Sequence, residues 1–449
     1  MRHRFLALFL LAFVLEGGNN RAIADTWSTP SLPIQIASEQ RFFRDATGNP
    51  FLLIGDTAWS LIAELKRKEV EIYLRDRKAR GFNAILVNLI EHEFSSNPPA
   101  NAYGAKPFTG NTFGPLNTAY FDHAAWVIER AQAMGLLVLL APAYLGVNGS
   151  SQGWYAEAET AGPKVIRTYG EAIARHFSKF HNIVWVLGGD FDAPDKLLVS
   201  SLAEGITRVT PGALQTIHSS RNTPTAEYWK EARWLSFDTV YDYDNVHGTI
   251  LSRTESQTMP VVLLEGLYED ERGTAAQALR MNAYGALLAG AAGQVFGNNP
   301  IWHFSGPGVF SAENIWQEAL NSPGSRSMTY LRILFDMIPW TELRPDRNHT
   351  IALHDKTFAA FLPDRSLIVL YGNMANGNDS FTIRKEALTS IGEANWFDPA
   401  SGKMFKARTP KQGEATTRFE PPSTRNAGED SDWILLIGHT KGVDPDRKP

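Results

Sequence analysis

The chain has 449 residues, 43 basic against 48 acidic side chains, a net charge of −5 and no cysteine. These figures exclude a disulfide framework, a thiolate metal site and a lipid-modified cysteine. With no basic run or stripe, they also give nucleic acid no footing.

Residues 1–24 read as an export signal. Arg2 and Arg4 form a positive start, residues 5–15 an apolar core, and Ala22-Ile23-Ala24 a cleavage site before Asp25. That core is too short to span a bilayer, and no other stretch approaches the ~20 apolar residues needed. The mature chain is therefore expected to be periplasmic or secreted after cleavage near Ala24, with no membrane anchor.

From about residue 40 to 335, short apolar runs alternate with helical periodicity, the pattern of βα units. A strand is expected at 51–55. A helix at 69–80 follows, with Val70, Tyr73 and Leu74 on one face and a stop at Gly81. Next come a strand at 84–90 and a helix at 120–134, which presents Phe121, Ala124, Ile128 and Ala131 and ends at Gly135. A strand at 136–142 precedes a helix at 165–180 carrying Tyr169, Ile173 and Phe177. Further strands are expected at 183–188, 214–218, 235–241, 261–265 and 293–297. Eight strands with helices between them fit a (β/α)8 TIM barrel. The rival, a doubly wound open sheet, lacks its phosphate-binding glycine fingerprint after the first strand. Beyond Pro339 the runs at 351–353, 358–362, 367–371, 380–383, 395–397 and 433–437 are short and split by turn signals. They read as a small antiparallel β-sandwich packed directly on the barrel, with a loop at 375–379. The expected division is a signal at 1–24, an α/β barrel over 25–338, and a sandwich over 339–449 that ends in a disordered tail.

Two of the apolar runs close on an acid: 182–190 on Asp190 and 261–265 on Glu265. A buried acid is costly unless partnered or used, and the carboxyl ends of barrel strands are where chemistry is done. On strands four and seven these two acids would face one pocket from opposite sides. Glycoside hydrolysis needs that opposition, with one carboxyl as acid and the other as nucleophile or base. Two structural readings stay open: Asp190 as a helix N-cap, and Glu265 in an ion pair with an arginine at the rim.

Asp56, Trp59, Asn88, Tyr144, His218, Tyr241 and Trp302 fall at or past strand ends and are candidates to hold a sugar. Asp56 is also a candidate cap for the next helix. Aromatics form 11 % of the chain and include 12 Trp, which suits either sugar stacking or a large core. Glu91-His92-Glu93 are adjacent on one strand and lack the convergence a metal needs, so neither metal nor other cofactor is implied. A non-catalytic carbohydrate-binding barrel is the rival function. An esterase built on His218 would lack a nucleophile elbow.

The segments Phe51-Leu-Leu-Ile-Gly-Asp-Thr-Ala-Trp59, Arg80-Gly-Phe-Asn83, Asn182-Ile-Val-Trp-Val-Leu-Gly-Gly-Asp190 and Leu263-Leu-Glu-Gly-Leu-Tyr-Glu269 resemble glycoside hydrolase family 140, the apiosidase-like group. The resemblance spans roughly residues 35 to 440. It includes a C-terminal sandwich that carries a collagen-binding label in collagenases; nothing in these residues argues for collagen. The resemblance implies a barrel enzyme with an aspartate acid/base and a glutamate nucleophile, matching Asp190 and Glu265. It also implies a retaining mechanism and plant cell-wall pectin as substrate, as an oligosaccharide or polysaccharide. Gly-Asp stands where many retaining barrels carry Asn-Glu.

Overall fold

The computed structural model describes residues 27–37, 40–353, 357–374, 379–388 and 393–438. The expected export signal, most of the loop at 375–379 and the tail lie outside these residues. Eight parallel strands form the ring of the first sheet: β1 (Leu53–Thr57), β2 (Ala84–Asn88), β3 (Leu137–Ala141), β4 (Ile183–Gly188), β5 (Gln215–His218), β6 (Asp238–Tyr241), β7 (Val261–Glu265) and β8 (Gly293–Asn298). Their ladder runs β5-β4-β3-β2-β1-β8-β7-β6. The ring closes between β5 and β6, where the Ser236 N–H donates to the Gln215 carbonyl at 2.8 Å. Two hydroxyls complete this seam: Thr216 donates to the Phe237 carbonyl at 2.8 Å, and Thr239 to that of Ile217.

Both faces of these strands are buried, which is why they read as continuous apolar runs. Leu86, Leu139, Val186, Val262 and Val295 fill the barrel, while Ile85, Val138, Trp185 and Ile217 face the helices. The helices are α1 (Arg67–Ala79), α2 (Thr118–Ala133), α3 (Tyr155–Phe177), α4 (Lys196–Val209), α5 (Val246–Ser256), α6 (Ala276–Leu288) and α7 (Pro323–Met337). The expected barrel is thus present, with two shifts. Phe51 pairs with Phe43 in a short antiparallel ribbon, so β1 starts at Leu53 instead of Phe51. Helix α3 begins at Tyr155, ahead of the expected 165–180. Gly162, at φ 78°, and Pro163 break its first turns from the rest, so a regular apolar period is legible only beyond the break.

The C-terminal strands are β9 (Thr357–Phe361), β10 (Leu367–Asn373), β11 (Phe381–Arg384), β12 (Ala394–Phe397), β13 (Met404–Lys406), β14 (Lys411–Gln412), β15 (Thr416–Phe419) and β16 (Asp432–Gly438). They form two antiparallel sheets, ordered β9-β10-β16-β12-β13, with the two-residue strand Arg344–Pro345 beside β9, and β11-β15-β14. The run expected at 351–353 makes only a bridge, from Ala352 to Ile383. The outer face of the larger sheet shares one apolar core with α6 and α7, in which Leu331, Val369, Ile434 and Leu436 meet. Tyr371 stacks on Tyr284 of α6 at 5.0 Å, and Phe358 on His247 at 4.2 Å. Within that core Arg280 grips Asp432 with two 2.7 Å hydrogen bonds and Asp430 with a third. The sandwich therefore packs directly on the barrel.

Candidate active site

Strand β4 ends in Gly188-Gly189-Asp190, three residues with positive φ of 75°, 129° and 50°. Glycine is required at both its positions. A Cβ on Gly188 would lie 2.7 Å from the His218 carbonyl oxygen, and one on Gly189 would lie 2.3 Å from the Tyr144 ring. The chain squeezes between β5 and that ring and presents Asp190 at the rim. The Tyr144 hydroxyl donates to Asp190 Oδ2 at 2.8 Å, and the Asp190 main-chain N–H donates to His218 Nδ1 at 3.1 Å. The helix that follows is capped by Asp195, whose Oδ1 accepts from the Leu197 N–H, so the N-cap reading of Asp190 falls away. Gly189→Ala is expected to displace Tyr144 and Asp190 together. Activity should then drop at least tenfold and stability by about 1–3 kcal/mol. Wild-type kinetics in the folded variant would refute this account of the turn.

Glu265 reaches the same pocket by a different route. Along β7, Val262 and Leu264 point into the barrel and Leu263 out. Strict alternation would turn Glu265 outward as well. The register against β6 slips by one residue: Val240 faces Leu263, but Tyr241 faces Glu265. This bulge re-aims the carboxyl inward. Glu265 then accepts from Tyr243 Oη at 2.9 Å and lies 2.8 Å from His218 Nε2. No arginine pairs with it among the described residues, so the ion-pair reading is replaced by this histidine and tyrosine.

One oxygen of each carboxyl and a nitrogen of His218 all lie within 4.8 Å of one another. By distance alone these three groups could hold an ion, but both ring nitrogens of His218 are already hydrogen-bonded. Burial first, then the negative charge of Glu265, pushes the Asp190 pKa up to about 6, against the pull of His218 and the hydroxyls of Tyr144 and Tyr241. For His218, burial lowers the pKa. The hydrogen bond to Glu265 and the charges of both acids outweigh that and push it up to about 9. The Asp190 amide opposes this, because it needs a lone pair on Nδ1. With Nδ1 facing that amide, Nε2 carries a proton and donates a hydrogen bond to Glu265.

The other expected residues divide. Tyr144, His218 and Tyr241 belong to the cluster. Trp59 lies against it, its ring 6.2 Å from that of Tyr144 and 5.9 Å from that of His218, with its indole N–H donated to Tyr268. Asn88 ends β2 on the barrel-facing side, and its Oδ1 has no partner among the described residues. Trp302 packs on Phe94 and donates to Glu271 at 2.8 Å. Asp56 is a correction: it is fully buried behind the barrel wall, where it accepts from Tyr73 at 2.6 Å and sits 3.5 Å from Arg77. It neither holds a sugar nor caps a helix. Glu91 spends its oxygens on Ser60 and on the main chain at His92 and Phe94, while His92 turns to Glu157. Tyr243 and Glu271 are members that the sequence reading missed. Burial raises the Glu271 pKa to about 7, against the pull of the Trp302 N–H and with a further push from Glu265. Both residues sit in loops just past strands, where no periodicity marks them. Their only signal is position after β6 and β7.

Residues 37–342 match the family model described as "Apiosidase-like, catalytic domain". Residues 348–438 match the one described as "Putative collagen-binding domain of a collagenase". No curated protein matches. A glycoside hydrolase family 5 structure from Bacteroides vulgatus superposes with a TM-score of 0.78 at 23% identity, covering 92% of this chain and 96% of that one. A second structure, described simply as a glycoside hydrolase, gives 0.77 at 24% identity, covering 93% of this chain and 98% of that one. These likenesses show the fold, while the catalytic-domain match takes in the barrel and every residue of the cluster. The chain belongs to the apiosidase-like family and is a glycoside hydrolase.

Proposed function

We propose that the protein is an exported, retaining glycoside hydrolase that cleaves a pectin-type glycan of plant cell walls, with Asp190 as acid/base and Glu265 as nucleophile. The observation that supports the mechanism is the approach of the two carboxyls: one oxygen of each lies within 4.8 Å of one of the other, which favours the shorter of the two known separations. Retention needs carboxyls about 5–5.5 Å apart, whereas inversion through a water needs roughly 6.5–9.5 Å. Their surroundings differ as the two roles require. Asp190, held near a pKa of 6, keeps a proton to give to the leaving oxygen. Glu265, facing two donors, attacks the anomeric carbon. Once Glu265 is esterified its charge is gone, so one cause of the raised Asp190 pKa is gone as well. Asp190 can then take the proton from the water that hydrolyses the intermediate. Asn88, Tyr144, Tyr241, Trp59 and Trp302 are the residues proposed to hold the sugar. The apiosidase-like motifs support pectin as substrate, and the N-terminal signal pattern supports export.

The test is to incubate the secreted protein, whose first residue is expected to be Asp25, with pectic glycans and follow the freed anomer by proton NMR. The first-formed sugar should keep the configuration of the bond cleaved. The opposite anomer would overturn retention. Cleavage of some other glycan class, with none of pectic ones, would overturn the substrate assignment.

A further inference from the structure

The barrel has a cavity at the end away from Asp190 and Glu265. Its lining comes from the last turns of α5 and α6 and from the residues that lead into β8, so it opens at the N-terminal ends of the strands. Its volume is about 270 Å³, just under the ~300–1,000 Å³ of ordinary small-ligand pockets and enough for one sugar residue. The floor is apolar, with Leu287 and Phe335, and Phe42 meets Trp340 edge-to-face at 5.8 Å. Three guanidinium groups line it: Arg41, Arg344 and Arg347. Arg347 is fixed by donating to the Leu251 carbonyl and to Thr254 Oγ1. Arg41 and Arg344 are exposed, and their side chains make no ion pair or hydrogen bond among the described residues. Burial lowers the Arg347 pKa; Glu255 offsets this in part, and Arg41 adds to it. Glu255, exposed at the end of α5, is the acid that acts on Arg347 among the described residues.

Unpaired arginines above an apolar, aromatic floor are matched by a ligand with a carboxylate at one edge and a C–H face beneath. We propose that this cavity is a secondary binding site for an acidic sugar residue, a uronate within a polysaccharide chain, with Arg41 and Arg344 clasping the carboxylate and Trp340 supporting the ring. Guanidinium groups bind carboxylates through paired, charge-assisted hydrogen bonds. Such a site would hold an acidic polymer on the enzyme while the far end of the barrel works on it. The proposal rests on the pectin reading only for the choice of sugar, because the positive charge and the shape are features of the cavity itself.

The test is calorimetric titration of the full-length mature enzyme with trigalacturonate, with the neutral trisaccharide of the same linkage, and with inorganic phosphate. Wild type and Glu265→Gln should both bind trigalacturonate. Arg41→Ala/Arg344→Ala should lose at least about tenfold in affinity at this site, and Trp340→Ala should weaken it separately. All three arginine and tryptophan changes should leave hydrolysis of a small aryl glycoside unchanged. Undiminished trigalacturonate binding in the folded double-arginine variant would overturn the proposal, as would equal binding of the neutral trisaccharide or of phosphate. Because the readout is binding away from the acids, failure to cleave pectin would leave this result standing, and the reverse also holds.

Discussion

Replacing Asp190 with Ala is expected to slow hydrolysis of a natural glycan by about 10²–10⁴-fold, the usual contribution of a positioned general acid. An aryl glycoside with a good leaving group needs little protonation, so it should lose far less. Glu265→Ala removes the proposed nucleophile and should disable both substrates alike, and azide should partly restore it by attacking from the vacated face. The pH dependence follows from the same residue. The Asp190 pKa lies near 6, above the ordinary carboxylate value of 3.8. The acid form is therefore retained below that pH and lost as pH rises through it, so kcat/KM should fall on the alkaline side of about 6. With an activated substrate, Asp190→Asn should abolish that limb. The measurements are kinetics of both variants on both substrates over a pH series, with folding checked by circular dichroism. Near-wild-type rates on the natural glycan in either folded variant would end the assignment.

The second large effect concerns stability. Arg280→Met is expected to destabilise the protein by about 3–5 kcal/mol, because it strands an uncompensated charge. Asp432 is fully buried and takes two hydrogen bonds from Arg280, one from the Tyr371 hydroxyl and another from the Asn426 amide. Methionine can fill the volume but not neutralise the carboxylate. Adding Asp432→Asn should recover part of the loss. Urea unfolding, followed by tryptophan fluorescence, reads the effect, and the sandwich should come away from the barrel at lower urea than in wild type. A loss under about 1 kcal/mol, the scale of a surface pair, would show that the Arg280 contact contributes little to holding the domains together.

The strands of the barrel were legible because both their faces are buried, and Asp190 because only a glycine pair could lead into it. The side a residue faces was harder to read. Asp56 reads as a rim residue because the apolar run ends at Gly55. The strand runs on to Thr57, which leaves Asp56 within the ladder, opposite Ile85 and Phe296 and facing the helices. Glu265 shows the converse: its place at the end of β7 was legible, but the bulge that turns it inward has no sequence signature. Strands β13 and β14 escaped notice because Met404–Lys406 and Lys411–Gln412 are mostly exposed edges with no apolar alternation. The partners of both acids lie mostly outside the strand pattern. Tyr144 and Tyr243 are brought in by loops, and only the folded chain sets which loop residues converge.

The barrel's seam runs between its two acids. Asp190, Tyr144 and His218 stand on the β3–β5 side; Glu265, Tyr241 and Tyr243 stand on the β6–β7 side. Main-chain pairing between β5 and β6 is sparse, and two threonine hydroxyls carry much of the junction. At the rim the halves are joined by the contact from His218 to Glu265 and by the Asn222 N–H donating to the Tyr241 carbonyl at 2.9 Å. The gap between the carboxyls is thus set by the width of a joint, and the choice between retention and inversion, normally a matter of chemistry, becomes here a mechanical tolerance. The histidine works as the spacer that holds that joint at one gauge.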